Sequence, residues 1–325
     1  MLYPCLDFSP PRYVIIKLKE DRIMKKTSTY SFGVSKRESH NSSAFYRLEI
    51  YKNTESPLQI LNYVVETLRS EKNVNNLNNF QQNTMDWMNK IYCQSSENMF
   101  QIPDGSIALA FTSPPYNNGK EYDKNLNLKE YLLLLARGGK EVFRVLKKGG
   151  RYVINIANLG RKPYIPLHSL LYIIHAEIGF RPAGEIIWQK GKGASGNCAW
   201  GSWLSAKSPR IRDIHEYLLI FVKDDFSRPD KGVSTISKEE FLNYTISIWE
   251  VPPASAKKIG HPAPFPIELA SRVIKLFSYE NDVILDPFVG SGTTCVAAKK
   301  LKRNFVGYDI NEEYCKIALK RLQEE

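Results

Sequence analysis

No run of about 18 consecutive apolar residues occurs in the 325-residue chain, so no membrane-spanning helix is expected. The stretch from Met1 to Lys19 is broken by Pro4, Asp7, Pro10 and Pro11, and it lacks the continuous apolar core of a secretory signal. Cysteine is scarce and scattered, at positions 5, 93, 198, 295 and 315. No pair has C-x-x-C spacing and no His lies near enough to complete a zinc pattern, so no metal is expected. An odd, unpaired set suits a reducing cytoplasm. No internal repeat is present. Acid is also in short supply: 34 Asp and Glu face 45 Lys and Arg, for a net charge of +11. That surplus fits either simple solubility or a polyanionic partner. Apolar residues at 43% and charged residues at 24% are close to the globular average, which excludes wholesale disorder and collagen-like structure.

Residues 1–70 show mixed patterning. Lys72 to Asn83 is rich in Asn and Gln and reads as a linker or long loop, so the chain divides into an N-terminal extension over 1–85 and a main domain over 86–325. Past residue 90, short apolar runs alternate with helical spacing. Strands are expected at 106–112, 152–157, 185–188, 216–222, 283–285 and 304–308. Helices are expected at 126–146, 167–178, 267–277, 293–301 and 312–322, with Lys147-Lys148-Gly149-Gly150 read as a basic last turn and its glycine stop. This alternation implies an α/β domain built on a mostly parallel sheet.

Two strand-end loops carry chemistry. The first runs from Asp286 through Phe288, Gly290 and Gly292 to Thr293 and Thr294, between an apolar strand and a helix. Its glycines allow a tight turn and close approach of the backbone to a ligand. Thr293 opens the helix, where free N–H groups are presented. Asp309 ends the next strand, 19 residues after Gly290, where a carboxylate meets ribose hydroxyls in nucleoside-binding folds. The loop has no P-loop lysine, which points to a nucleoside without a long phosphate tail. The second loop is Thr112-Ser113-Pro114-Pro115-Tyr116. Its prolines fix a rigid turn and remove two N–H donors, leaving a hydroxyl, bare carbonyls and an aromatic plane. Such a set accepts hydrogen bonds from an amino group and stacks on a flat ring.

Together these motifs resemble the amino-methylating DNA methyltransferases, with their (D/N/S)PPY and FxGxG loops. Here those loops are Ser113-Pro114-Pro115-Tyr116 and Phe288-Val289-Gly290-Ser291-Gly292. The order, catalytic loop before cofactor loop, is similar to the permuted β group, and the likeness covers about residues 90–325. It implies a Rossmann-like α/β methyltransferase fold, a seven-stranded, mostly parallel sheet with one antiparallel strand. It also implies S-adenosyl-L-methionine (AdoMet) as cofactor. Asp309 would accept from the ribose. Asp286, Gly290 and Gly292 would hold the methionine end, Phe288 would present a ring face, and Pro264 and Phe265 would close the pocket. Ser113 Oγ and the Pro114 carbonyl would accept the hydrogens of an extruded base's amine, and Tyr116 would stack on that base. Serine in the first motif position is similar to the cytosine-N4 branch, with adenine N6 as the alternative. A non-catalytic DNA-binding protein on the same fold is the alternative of another class. Double-stranded DNA is the implied partner, with a cognate restriction endonuclease as functional counterpart, in a prokaryotic cytoplasm, the protein acting as monomer or homodimer.

The segment from Arg161 to Arg212 holds eight basic and two acidic residues, a net of +6, together with several glycines and tryptophans. Such loops suit neutralisation of a phosphate backbone. Lys190, Lys192, Arg210 and Arg212 are the expected DNA contacts. By the β-group analogy, residues 191–258 carry the target-recognition insert.

Overall fold

The computed structural model describes residues 28–31, 34–38, 48–52, 55–72, 86–116, 126–160, 163–191, 202, 204–211, 213–254 and 265–325. Near the N-terminus, β1 (Ser28–Ser31) and β2 (Val34–Glu38) form an antiparallel hairpin. Helix α1 (Pro57–Lys72) and β3 (Lys90–Cys93) follow. Next come β4 (Ile107–Thr112), α2 (Leu128–Val145) and β5 (Leu146–Ile156). The short strands β6 (Leu159–Gly160) and β7 (Tyr164–Ile165) lead into α3 (Leu167–Ile178). Then β8 (Arg181–Gln189), β9 (His215–Val222), α4 (Lys238–Tyr244) and β10 (Ile248–Glu250) complete one half. The chain closes with α5 (Ile267–Phe277), β11 (Val283–Asp286), α6 (Thr293–Lys300), β12 (Asn304–Asp309) and α7 (Glu312–Gln323).

The main sheet runs β10-β8-β9-β5-β4-β11-β12-β3. β9 is antiparallel to both of its neighbours, β5 and β8, and every other pairing is parallel. Seven of these strands reproduce the expected mostly parallel sheet with one reversed strand. The eighth, β10, adds an edge beside β8 that the apolar pattern of 248–250 is too short to announce. Both faces of the sheet are covered, so β4 is buried at all six positions and reads as an unbroken apolar run. One core packs α1, α2 and α3 against the sheet, and the other packs α5 and α6.

Parallel strands place their carboxyl ends on one edge. Register pairs Asp309 with Cys93, Asp286 with Gly307, Thr112 with Ile154, and Gln189 with His215 at the start of β9. Both motif loops therefore leave the same edge, where open α/β sheets bind ligands.

The Lys147-Lys148-Gly149-Gly150 segment differs from expectation. It is not a helix tail but the opening of β5, which follows α2 without a loop. The ladder pairs Ile107 with Leu146 and then Leu109 with Arg151, so the extra residues bulge. Gly149 adopts φ +72°, and a Cβ there would lie 2.5 Å from the Ser227 carbonyl oxygen. Inside α2, Gly138 and Gly139 break the usual helix preference for a packing reason. A Cβ on Gly139 would lie 2.8 Å from His175 Nε2 and 3.1 Å from Ile178 Cδ1 of α3. The glycine permits that close helix crossing.

Helix α1, inside the stretch read as an extension, buries Ile60, Leu61, Val64 and Leu68 in the same core as α2 and α3. Ion pairs from Glu71 to Arg137 and Lys140, and from Arg69 to Glu177, fasten its outer turns. Residues 55–72 thus share a core with the elements past 86. The Asn-rich run at 73–83 lies outside the described residues.

Candidate active site

The cofactor-type loop is built by β11, β12 and the start of α6. The Val289 N–H donates to the Tyr308 carbonyl at 2.8 Å and lays the loop across β12. Gly307 makes this possible, since a Cβ there would lie 2.7 Å from Val289 Cγ2. Gly290 and Gly292 take φ of +48° and +82°, conformations that L side chains resist. Gly292 then serves as N-cap of α6 without a side-chain cap. Behind the loop, Arg321 of α7 donates to the Ser291 carbonyl and to Thr293 Oγ1, at 2.6 and 3.2 Å. Thr293 is buried in this arrangement.

Two carboxylates organise the loop. Asp309 accepts from the Gly290 N–H through Oδ2 and from the Asn311 N–H through Oδ1, each at 2.9 Å. Burial pushes its carboxyl above the usual range, and the backbone donors oppose that shift. Asp286 is 1% exposed. Its Oδ1 accepts from Thr112 Oγ1 at 2.6 Å and from the Phe288 N–H at 3.1 Å. Burial raises its carboxyl to about 6, an effect that these bonds and Thr294 reduce and the charge of Asp309 adds to. Among the described residues no Lys, Arg or His forms an ion pair with either carboxylate. Two acidic groups without a counter-cation suit a ligand that brings positive charge and hydroxyl donors. Phe288 is half-buried, its ring lying behind Gly138 of α2.

Thr112 links the two loops, because its hydroxyl reaches Asp286 while its neighbour is Ser113. In the catalytic-type loop, Pro114 and Tyr116 are buried, and Ser113 and Pro115 are half-buried. Ser113 Oγ and the Tyr116 hydroxyl lie 3.1 Å apart. The Tyr116 hydroxyl donates to Glu216 Oε2 at 2.9 Å. Asn155 Nδ2 donates to Glu216 Oε2 at 2.7 Å, and it lies 3.1 Å from Tyr116 Oη and 3.2 Å from Ser113 Oγ. Glu216 Oε1 is ion-paired with Lys190.

Other expected site residues fall differently. Lys190, expected on the DNA surface, is turned inward by the structure. It is 14% exposed, paired with Glu216 and placed over the Trp188 ring at 4.9 Å. A buried carboxylate one strand away draws the ammonium in, so Lys190 is not an open phosphate contact. Phe265 packs edge-on against Phe111 of β4, with centroids 5.2 Å apart, at the entry to α5. Arg210 is half-buried in the segment before β9, next to exposed Ile211 and near exposed Leu204. Pro264, Lys192 and Arg212 lie outside the described residues. Sequence reasoning gives no role to Thr112, Asn155, Glu216 or Arg321. For Asn155 a signal exists: it is a lone polar residue inside an apolar strand run, and buried polar groups need partners.

A family model described as DNA methylase, for N6 and N4 methyltransferases, matches residues 107–320. The Type II methyltransferase M.ScaI of Streptomyces caespitosus is 31% identical over 249 residues, covering 71% of this chain and 80% of that protein. A DNA modification methylase of Thermus thermophilus, solved in complex with S-adenosyl-L-methionine, superposes with a TM-score of 0.58 at 29% identity, over 72% of this chain and 93% of that one. The PvuII cytosine-N4-specific DNA methyltransferase superposes with a TM-score of 0.57 at 23% identity, over 71% of this chain and 85% of that one, a likeness of fold. With both loops on one edge of this sheet, and the family model spanning them, the chain belongs to the DNA methylase family.

Proposed function

We propose that the protein transfers a methyl group from AdoMet to the N4 amine of cytosine in double-stranded DNA. It would act as the modification partner of a restriction endonuclease in a prokaryotic cytoplasm. The observation that carries the reading is the hydrogen bond from Thr112 to Asp286, which ties the acceptor-lined Ser113 loop to the loop flanked by two carboxylates that have no ion-pair partner among the described residues. AdoMet fits that donor set: its ammonium and sulfonium complement the acids, and its ribose hydroxyls are donors. The Asp309 carboxylate already takes the backbone N–H groups of Gly290, Asn311 and Ile310, and of its four lone pairs keeps one for a ribose hydroxyl. Asp286 would act through field rather than direct contact, since its carboxylate is enclosed. When bound, AdoMet supplies an electrophilic methyl group.

The chain's own residues supply position and electrostatics. A cytosine amine is a poor nucleophile, its lone pair delocalised into the ring, and it is paired in a duplex. Extruding the nucleotide costs a few kcal/mol. Stacking on Tyr116 would return about 1–3 kcal/mol. Ser113 Oγ and the Pro114 carbonyl would accept the two amine hydrogens, drawing the nitrogen towards tetrahedral geometry and freeing its lone pair. Ser113 is too weak a base to ionise the amine first, so the proton leaves after transfer. Arg210, Lys192 and Arg212, with the candidate recognition segments 191–212 and 224–258, would face the DNA. The serine of the motif supports cytosine over adenine N6, which is the second reading.

Ser113→Ala should lower methyl transfer by on the order of 100-fold or more, the loss seen when a positioned hydrogen-bonding group is deleted. AdoMet affinity, measured by calorimetry, should stay near wild type. An equal collapse of cofactor binding would refute the division of labour between the loops.

A further inference from the structure

We propose that Glu216 is a positioning residue that makes Ser113 an acceptor towards the target amine, by fixing the direction of a buried hydrogen-bond chain. The inference rests on the amine-transfer reading above and adds to it a residue on another strand.

The argument is one of donor and acceptor counts. Glu216 is 3% exposed, and its ion pair with Lys190 leaves it two acceptor oxygens and no proton to donate. Tyr116 carries a single hydroxyl proton, and at 2.9 Å that proton goes to Glu216 Oε2. The Tyr116 oxygen can then only accept. Ser113 Oγ, 3.1 Å away, must therefore direct its own proton to Tyr116. With that proton turned inward, Ser113 Oγ has only lone pairs to offer: Asn155 Nδ2 approaches one at 3.2 Å, and the other is left for the amine. Without Glu216 the serine proton is free to rotate towards the substrate, where it would oppose the amine's own hydrogens.

Glu216 also fixes Asn155. A carboxylate accepts only, so the Asn155 amide must present Nδ2 to it, at 2.7 Å. The same nitrogen lies 3.1 Å from Tyr116 Oη and 3.2 Å from Ser113 Oγ. Asn155 Oδ1 is buried with no hydrogen-bond partner among the described residues. An amide left to choose would turn this oxygen towards the two hydroxyls, both of which can donate. The unsatisfied acceptor is evidence that the carboxylate dictates the orientation. Lys190 completes the assembly by holding the far oxygen of Glu216.

Glu216→Gln keeps the shape but can present an N–H to Tyr116, which reverses the chain. Tyr116→Phe removes the link while leaving the ion pair in place. Steady-state methylation of duplex DNA should show kcat reduced on the order of 10- to 100-fold in Glu216→Gln, the scale of a misdirected reacting group. KM for DNA and the AdoMet dissociation constant from calorimetry should each stay within about twofold, because the chain acts on the reacting geometry and not on binding. The double variant should be no slower than Tyr116→Phe alone, since both changes break one chain. Wild-type kcat in Glu216→Gln, or losses that multiply in the double variant, would overturn the role. If Glu216→Gln fails to fold, Tyr116→Phe decides alone: an undiminished kcat there overturns the proposal equally. A wild-type enzyme silent on every DNA would instead refute the amine-transfer reading itself.

Discussion

Replacing Asp286 by Asn isolates the electrostatics of the site from its packing. Asp286 is enclosed, and its carboxyl is raised from 3.8 to about 6. A carboxyl with a raised folded-state pKa favours the protonated folded protein. Its contribution to stability is present in full below about pH 4 and is lost as pH rises through about 6. A rise of that size corresponds to roughly 3 kcal/mol. Asn is nearly isosteric and does not ionise. The donors Thr112 and the Phe288 N–H go to a single oxygen, Oδ1, which Asn retains. The amide nitrogen of the introduced side chain would then face the Thr294 side, where a hydroxyl can accept. The expected outcome is that Asp286→Asn matches wild type near pH 4 and exceeds it by up to about 3 kcal/mol at pH 7 and above, in cofactor-free protein. The same variant should lose AdoMet affinity, because it removes one of the two acidic charges at the cofactor loop. Urea unfolding at half-unit steps from pH 4 to 8 reads the difference. A stability difference that stays constant across that range would refute the reasoning, since it would assign the effect to packing.

Two further perturbations follow. Gly139→Ala gains about 1 kcal/mol of helix propensity, yet its Cβ would lie 2.8 Å from His175 Nε2, so a net destabilisation of roughly 1–3 kcal/mol is expected in urea unfolding; Gly138→Ala, whose Cβ would lie 3.3 Å from Ser96 Oγ, should be milder. Arg210→Gln should weaken DNA binding and flatten its salt dependence by about one unit of logarithmic slope, and an unchanged slope would return this charge to general solubility.

The C-terminal half of the fold is legible because its elements have regular periods. The strands at 283–286 and 304–309 and the helices around them match the expected spans within a residue or two. The turn from α2 into β5 is misread from sequence because a basic run ending in Gly-Gly is the same signal whether it closes a helix or forms a bulge. Which one forms depends on the end of β9, where Lys223 pairs with Gly149 and Gly150 from far downstream in the chain. Strand β10 has three residues and no detectable period. In the site, Ser113, Tyr116, Asp286 and Asp309 are visible as local motifs at strand ends. Glu216 is not, and Asn155 shows only as a polar break in an apolar run, since their meaning lies in β5 adjoining β4 and β9 adjoining β5, and that is set by topology. Lys190 is misplaced for the same reason: a lysine in a glycine-rich basic stretch reads as solvent-facing until the carboxylate on the neighbouring strand is located.

The central claim is tested most directly by incubating the protein with AdoMet and mixed-sequence duplex DNA, digesting the DNA to nucleosides and identifying the methylated one by mass. The account predicts N4-methylcytosine, formed on the order of 100-fold or more slowly when Ser113→Ala replaces the wild type. N6-methyladenine would contradict the assignment of the target base, and unmethylated DNA would contradict the proposed activity as a whole.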